Sequence, residues 1–156
     1  MSGIESENES ALSQKILSLH ALFKIIMGDV SPTEEAILDQ ALVLTYKQKG
    51  ITQDPATFSN QPPLLEDLYK VLVGMEKKES ETMAAKLERF VKGSLRGVFD
   101  QQSSVKLNNP FTVFSTRELE DKLRPVAIFM ILDYIWTKIK RDRKKRILIV
   151  DEAWYL

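Results

Sequence analysis

Residues 146–156 read RILIVDEAWYL. Four consecutive apolar residues, Ile147 to Val150, run directly into Asp151-Glu152. An apolar run of this length with β-branched residues, ending abruptly in carboxylates, is the pattern of a buried parallel strand that delivers charge to the carboxyl edge of a sheet. Upstream, Val126, Ile128, Phe129, Ile131, Leu132, Ile135, Trp136 and Ile139 predict a helix of about 16 residues opening at Pro125. Being apolar nearly all round, it is predicted to be buried on most sides. Before it, Phe111-Thr112-Val113-Phe114 has the β-branched and aromatic content of a strand. Strand, helix and strand together predict a right-handed crossover in a parallel sheet. Two strands do not make a stable sheet with both faces covered, and the chain stops five residues after Asp151. Residues 98–156 therefore read as part of a larger α/β unit.

The first hundred residues have a different period. Leu12, Ile16, Leu19, Phe23 and Ile26 form one helical stripe, which Gly28-Asp29 ends. Ser31-Pro32-Thr33-Glu34 combines an N-cap serine, a proline at the first helical position and a capping-box glutamate. The helix it opens turns Ile37, Leu38, Ala41, Leu44 and Thr45 inward and stops at Gly50. Residues 51–63 read as a loop with two proline signals, Asp54-Pro55 and Pro62-Pro63. A third helix begins near Leu64 with Leu65, Leu68, Leu72 and Met75. After the polar break Glu76 to Glu81 a fourth carries Met83, Leu87 and Phe90 inward. Residues 12–97 are thus predicted to be an all-α bundle, and residues 1–11, polar and acidic, to be disordered or an expression remnant.

Bulk properties bound the function. A chain of 156 residues can bury about 70% of its unfolded surface, enough for one good core. With 22 basic and 22 acidic residues, composition alone predicts no affinity for nucleic acid or anionic membranes. The absence of cysteine removes disulfides, thiolate ligands and a cysteine nucleophile. The longest apolar run, Val126 to Leu132, has seven residues, whereas a bilayer span needs about 20.

Asp151 and Glu152 are the strongest chemical signal. Magnesium takes hard oxygen ligands and keeps several waters, so an aspartate at a strand tip can hold it through one of them. A glutamate one residue on points the other way and can orient and deprotonate a water attacking a γ-phosphate. This is the Walker B arrangement of P-loop nucleoside-triphosphate hydrolases. Its partner G-x-x-x-x-G-K-[ST], whose backbone cradles the phosphates, does not occur in the chain. His20, the single histidine, has no metal or thiol partner and reads as structural or solvated. The run from Lys138 to Arg146 holds seven cations and one anion, Asp142. It reads as a solvated helix end complementing the macrodipole; a contact to nucleic acid or headgroups is the alternative. Trp154, directly after the carboxylates, either lies near a nucleotide or covers the sheet edge.

Taken together, GSLRGVFDQQSSVKLNNPFTVFSTREL, LRPVAIFMILDYIWTKIK and RILIVDEAWYL resemble the ATPase domain of the large type IV secretion and conjugation ATPases, the VirB/TraC/TrbE group. The upstream LEDLYKVL and AAKLERFVKGSLRGVFD fit the helical part of that family, so the resemblance covers roughly residues 12–156. It implies a mostly α chain with a small parallel β element: residues 12–97 as an inserted all-α subdomain, residues 98–156 as part of a RecA-like core. It implies Asp151 as the Mg-ATP aspartate, acting on magnesium through water, and Glu152 as the catalytic residue. The phosphate-loop lysine would lie before residue 1, so Mg-ATP is expected in the parent protein and not on this stretch alone. Arg89, Arg96, Arg117 and Arg124 all stay open as the arginine finger. Implied partners are other secretion-system subunits and further copies of the protein. The parent would form a hexamer and this stretch a dimer or swapped oligomer, close to DNA or the inner membrane at its cytoplasmic face. Two alternatives stand beside this: a DNA-translocating ATPase of the HerA/FtsK type, and a non-catalytic helical interaction module.

Overall fold

Ser31 and Glu34 start the second helix as their order in the chain dictates. In the computed structural model, which describes residues 3–102, 109–141 and 144–151, Glu34 N–H donates to Ser31 Oγ at 3.3 Å. Ser31 N–H donates back to Glu34 Oε2 at 2.8 Å, which closes the capping box. Helix α2 (Pro32–Gln48) follows. It is preceded by α1 (Gly3–Met27), which ends at Gly28 with φ +75°. Helix α1 thus starts at Gly3, within the stretch whose sequence carries no periodic signal.

Helix α2 stops before Gly50, which takes φ +71° and whose carbonyl accepts from Asn60 Nδ2 at 2.9 Å. The predicted loop contains a 3-10 turn, Pro55–Ser59, capped by Asp54. Helices α3 (Leu65–Gly74), α4 (Lys78–Val91) and the single turn α5 (Arg96–Phe99) complete this part. Helix α4 packs against α1, α2, α3 and α5 and is the hub. Its Met83 and Leu87 are fully buried, as are Phe23 of α1, Leu38 of α2 and Leu72 of α3. One inward residue differs from expectation. Leu44 is 41% exposed, while Leu42 and Tyr46 are buried; the buried positions 37, 38, 41, 42, 45 and 46 keep the four-residue step of one helix face.

The chain divides into two compact units, Met1–Ser104 and Val105–Leu156. The second contains α6 (Arg124–Arg141), with Leu123 and Val126 buried. Arg124 fixes the entrance: its guanidinium donates to Leu119 O at 3.4 Å and lies 3.2 Å from Asp121.

Three expectations are corrected here. Among the described residues there is no strand and no sheet. The expected small parallel β element and RecA-like α/β core are not seen, and the fold is helical. Residues 112–116 and 144–150 have no regular structure, and several of their apolar side chains face solvent, with Val113 71%, Ile147 91% and Ile149 85% exposed. The physical reason is that strand propensity reports fit to a pleated, half-buried surface rather than a preference of the backbone itself. Without a hydrogen-bonded neighbour, β-rich segments form no ladder. Lastly, α6 is not covered on most sides, since Met130 and Trp136 lie exposed.

Candidate functional site

Asp151 occupies a turn at the end of the 144–150 segment and is exposed. Asp151 follows an apolar run without regular structure and does not sit at a sheet edge. Glu152 and Trp154 lie outside the described residues. An exposed carboxylate fits a magnesium ion that retains its waters. Asp151 is a single donor, however: among the described residues no group of three or more His, Cys, Asp or Glu is placed to hold a metal. The sequence contains no G-x-x-x-x-G-K-[ST] phosphate loop.

The four arginines considered from sequence have different surroundings. Arg89 lies over the Phe90 ring, 5.2 Å from its centroid. Arg96 is 3.2 Å from Glu66 and 3.8 Å from Asp100. Arg124 is engaged at the start of α6, and Arg117 is exposed in a turn. The basic run straddles a helix end. Lys138 and Lys140 belong to α6, whereas Lys144, Lys145 and Arg146 lie exposed beyond it, in a segment without regular structure, so the macrodipole accounts for only its first part.

His20 Nε2 lies 3.2 Å from Asp39 Oδ1 and joins α1 to α2. Beside it is a shallow groove lined by Ala21, Lys24, Val30, Glu35 and Leu38. Another, lined by Leu44, Gln48, Lys70, Val71 and Met75, lies between α2 and α3. Neither combines a nucleophile with a base, which general acid–base or covalent catalysis requires.

Sequence reasoning missed the polar cluster at the start of α3. Leu64, the N-cap, has no side-chain acceptor to offer. Asp67 Oδ2 accepts from Leu64 N–H at 2.9 Å and pairs with Lys49 Nζ at 2.9 Å. Burial pushes the Asp67 carboxyl up, but the Leu64 N–H and Lys49 outweigh it and hold it below its ordinary range. Asp100 Oδ1, 34 residues away, accepts from Glu66 N–H at 2.9 Å. Glu66 in turn pairs with Lys70 at 2.8 Å, and the Lys70 hydrogen bond is the main cause that lowers its pKa. A helix start without Ser, Thr, Asp or Asn at its N-cap is the signal that could have found this: its orphan N–H groups must find acceptors elsewhere.

Among the described residues no helix is long and apolar enough to cross a membrane. No protein-family model matches the chain, and no curated protein matches it. Among solved structures it is similar to VirB4 of Thermoanaerobacter pseudethanolicus, with 30% sequence identity and a TM-score of 0.82 over 92% of this chain. The chain spans 57% of the length of that VirB4 chain. The fold is therefore VirB4-like.

Proposed function

We propose that this chain is part of an ATPase that powers type IV secretion or conjugative transfer. The observation that carries the reading is the similarity to VirB4, at 30% identity over 92% of the chain. The Asp151-Glu152 pair at the end of an apolar run supports it. In the whole protein Asp151 would hold magnesium through a bound water, as a hard oxygen donor can. Glu152 orients the attacking water and accepts its proton. The metal, when bound, neutralises charge on the phosphate oxygens. The all-α unit, residues 12–97, is the inserted subdomain of the same protein. Its partners are other secretion-system subunits and further copies of itself, arranged as a hexamer at the cytoplasmic face of the bacterial inner membrane.

The test uses the full-length protein. Glu152→Gln keeps the shape of the side chain and removes its basicity. Nucleotide binding should persist while phosphate release falls by about 10²–10⁴, the usual contribution of a general base. Asp151→Ala should weaken the magnesium-dependent part of nucleotide binding, read by equilibrium titration with and without the ion. A Glu152→Gln rate within about twofold of wild type removes the catalytic assignment. Absence of nucleotide binding in the wild-type protein favours the interaction-module reading.

A further inference from the structure

The chain is neutral overall, but its charge is divided. Of its 22 basic and 22 acidic residues, 11 and 15 fall in residues 1–104, which leaves 11 and 7 in residues 105–156. The basic surplus of the second unit is concentrated: Lys138 to Arg146 holds seven cations and one anion. The macrodipole of α6 favours cations in its last turn, which covers Lys138 and Lys140. It does not reach Lys144, Lys145 and Arg146, which are exposed beyond the helix. Neighbouring like charges repel one another, and blocks of them serve as interaction elements. The helix leading into the tract is itself partly open. Met130 is 41% and Trp136 55% exposed, and Lys140, one turn after Trp136, is exposed as well. Lys140 and Lys144 are four residues apart and so within about 14 Å of each other. The indole ring and the cations therefore occupy one neighbourhood.

We infer that the end of α6 and the cations that follow it form a contact for an anionic lipid surface. Trp136 and Met130 supply the apolar part, and Lys140, Lys144, Lys145 and Arg146 supply the charge that meets headgroup phosphates. Each part alone binds a bilayer only marginally, whereas an apolar contact combined with a polybasic stretch holds a protein at the surface. The pairing of the two favours lipid over nucleic acid. An exposed indole and thioether add contact at an acyl boundary and nothing to a phosphodiester backbone. Residues 138–146 contain no aromatic side chain, so nothing interleaves with the cations to stack on bases. The contact is peripheral, because no helix among the described residues is long and apolar enough to cross a membrane. Asp151 and Glu152 are not part of it, and the inference stands on this surface alone and not on the ATPase reading.

Vesicle binding by the whole chain decides it. The probes are vesicles with about one third phosphatidylglycerol in phosphatidylcholine, vesicles of phosphatidylcholine alone, and a DNA duplex. The chain should sediment with the anionic vesicles and not with the neutral ones, and less so as salt screens the contact. Each cation at an anionic surface is worth about fivefold in affinity, so Lys144→Gln, Lys145→Gln and Arg146→Gln together should lose about 10²-fold. All three positions are exposed, so the fold should persist, which circular dichroism checks. With Trp154→Phe, Trp136 is the sole tryptophan, and its emission should shift to the blue on anionic vesicles. Trp136→Ser should weaken binding with the cations intact. Should the triple variant fail to fold, the salt series and the Trp136 shift carry the test. Absence of binding to anionic vesicles, equal binding to neutral ones, or a folded triple variant within about twofold of wild type overturns the inference. Capture by the duplex, with Trp136 emission unmoved by vesicles, overturns the lipid assignment in favour of nucleic acid.

Discussion

Ser31 and Glu34 satisfy each other reciprocally: each side chain accepts the other residue's backbone N–H, at 3.3 and 2.8 Å. Four residues thus encode the start of α2, and Lys86 Nζ of the hub helix reaches the same glutamate at 3.8 Å. The local signal and the tertiary contact converge on one carboxylate.

Ser31→Ala should cost about 1 kcal/mol, the usual loss of an N-cap, seen as a lower urea midpoint with an unchanged slope. The Ser31 N–H, then the Ser31 hydroxyl, then Lys86 hold the Glu34 carboxyl below its ordinary 4.5. A depressed carboxylate contributes stability that is fully present above its unfolded pKa and is lost as pH falls through the folded one. The wild-type melting temperature should therefore decline below about pH 4.5, and Glu34→Gln should show a shallower decline. Parallel pH profiles for the two proteins would count against the assignment.

Leu87 lies in the hub helix and is fully buried, whereas Leu17 on α1 is 68% exposed. Truncation to alanine separates packing from composition. Leu87→Ala should destabilise by about 2–5 kcal/mol through lost burial and a residual cavity, and Leu17→Ala should stay within about 0.5 kcal/mol. Chemical denaturation followed by circular dichroism reads both. Equal losses at the two positions would mean that α1 and α4 do not pack as described.

The helices were legible because their signals are local. Ser31-Pro32-Thr33-Glu34, Gly28 and Gly50 mark boundaries through chemistry that acts within a few residues. The stripes Leu12–Ile26 and Met83–Phe90 follow from the helical period alone. The hydrogen bond between Glu66 and Asp100 was not legible, because the two are 34 residues apart and no periodicity relates them. The strands misled for a related reason. Phe111–Phe114 and Ile147–Val150 have β-type side chains, but a strand exists only with a partner, and the residue types of one segment do not specify one. Of the candidate site, Asp151 lies exposed in a turn, and the sheet edge expected to deliver it is absent among the described residues.

Self-association should follow from the exposed segment at 144–150. Ile147 and Ile149 are 91% and 85% exposed, and Leu148 and Val150 are 44% and 40% exposed. All four apolar residues are thus open to solvent, with Lys144, Lys145 and Arg146 before them in the chain. Exposed apolar segments recruit further chains, and exchange of identical elements is a low-cost route to dimers. Charge placed on that segment opposes association. Ile147→Lys together with Ile149→Lys should therefore keep the melting temperature, since exposed positions shift stability by about 0.5 kcal/mol or less, and abolish the association. Sedimentation velocity over a concentration series reaching about 100 µM, where exposed edges act, distinguishes the outcomes. Wild type should sediment faster as concentration rises and the double variant should not. A wild-type chain that stays monomeric throughout, or a double variant that associates as strongly, would show that this segment does not drive assembly.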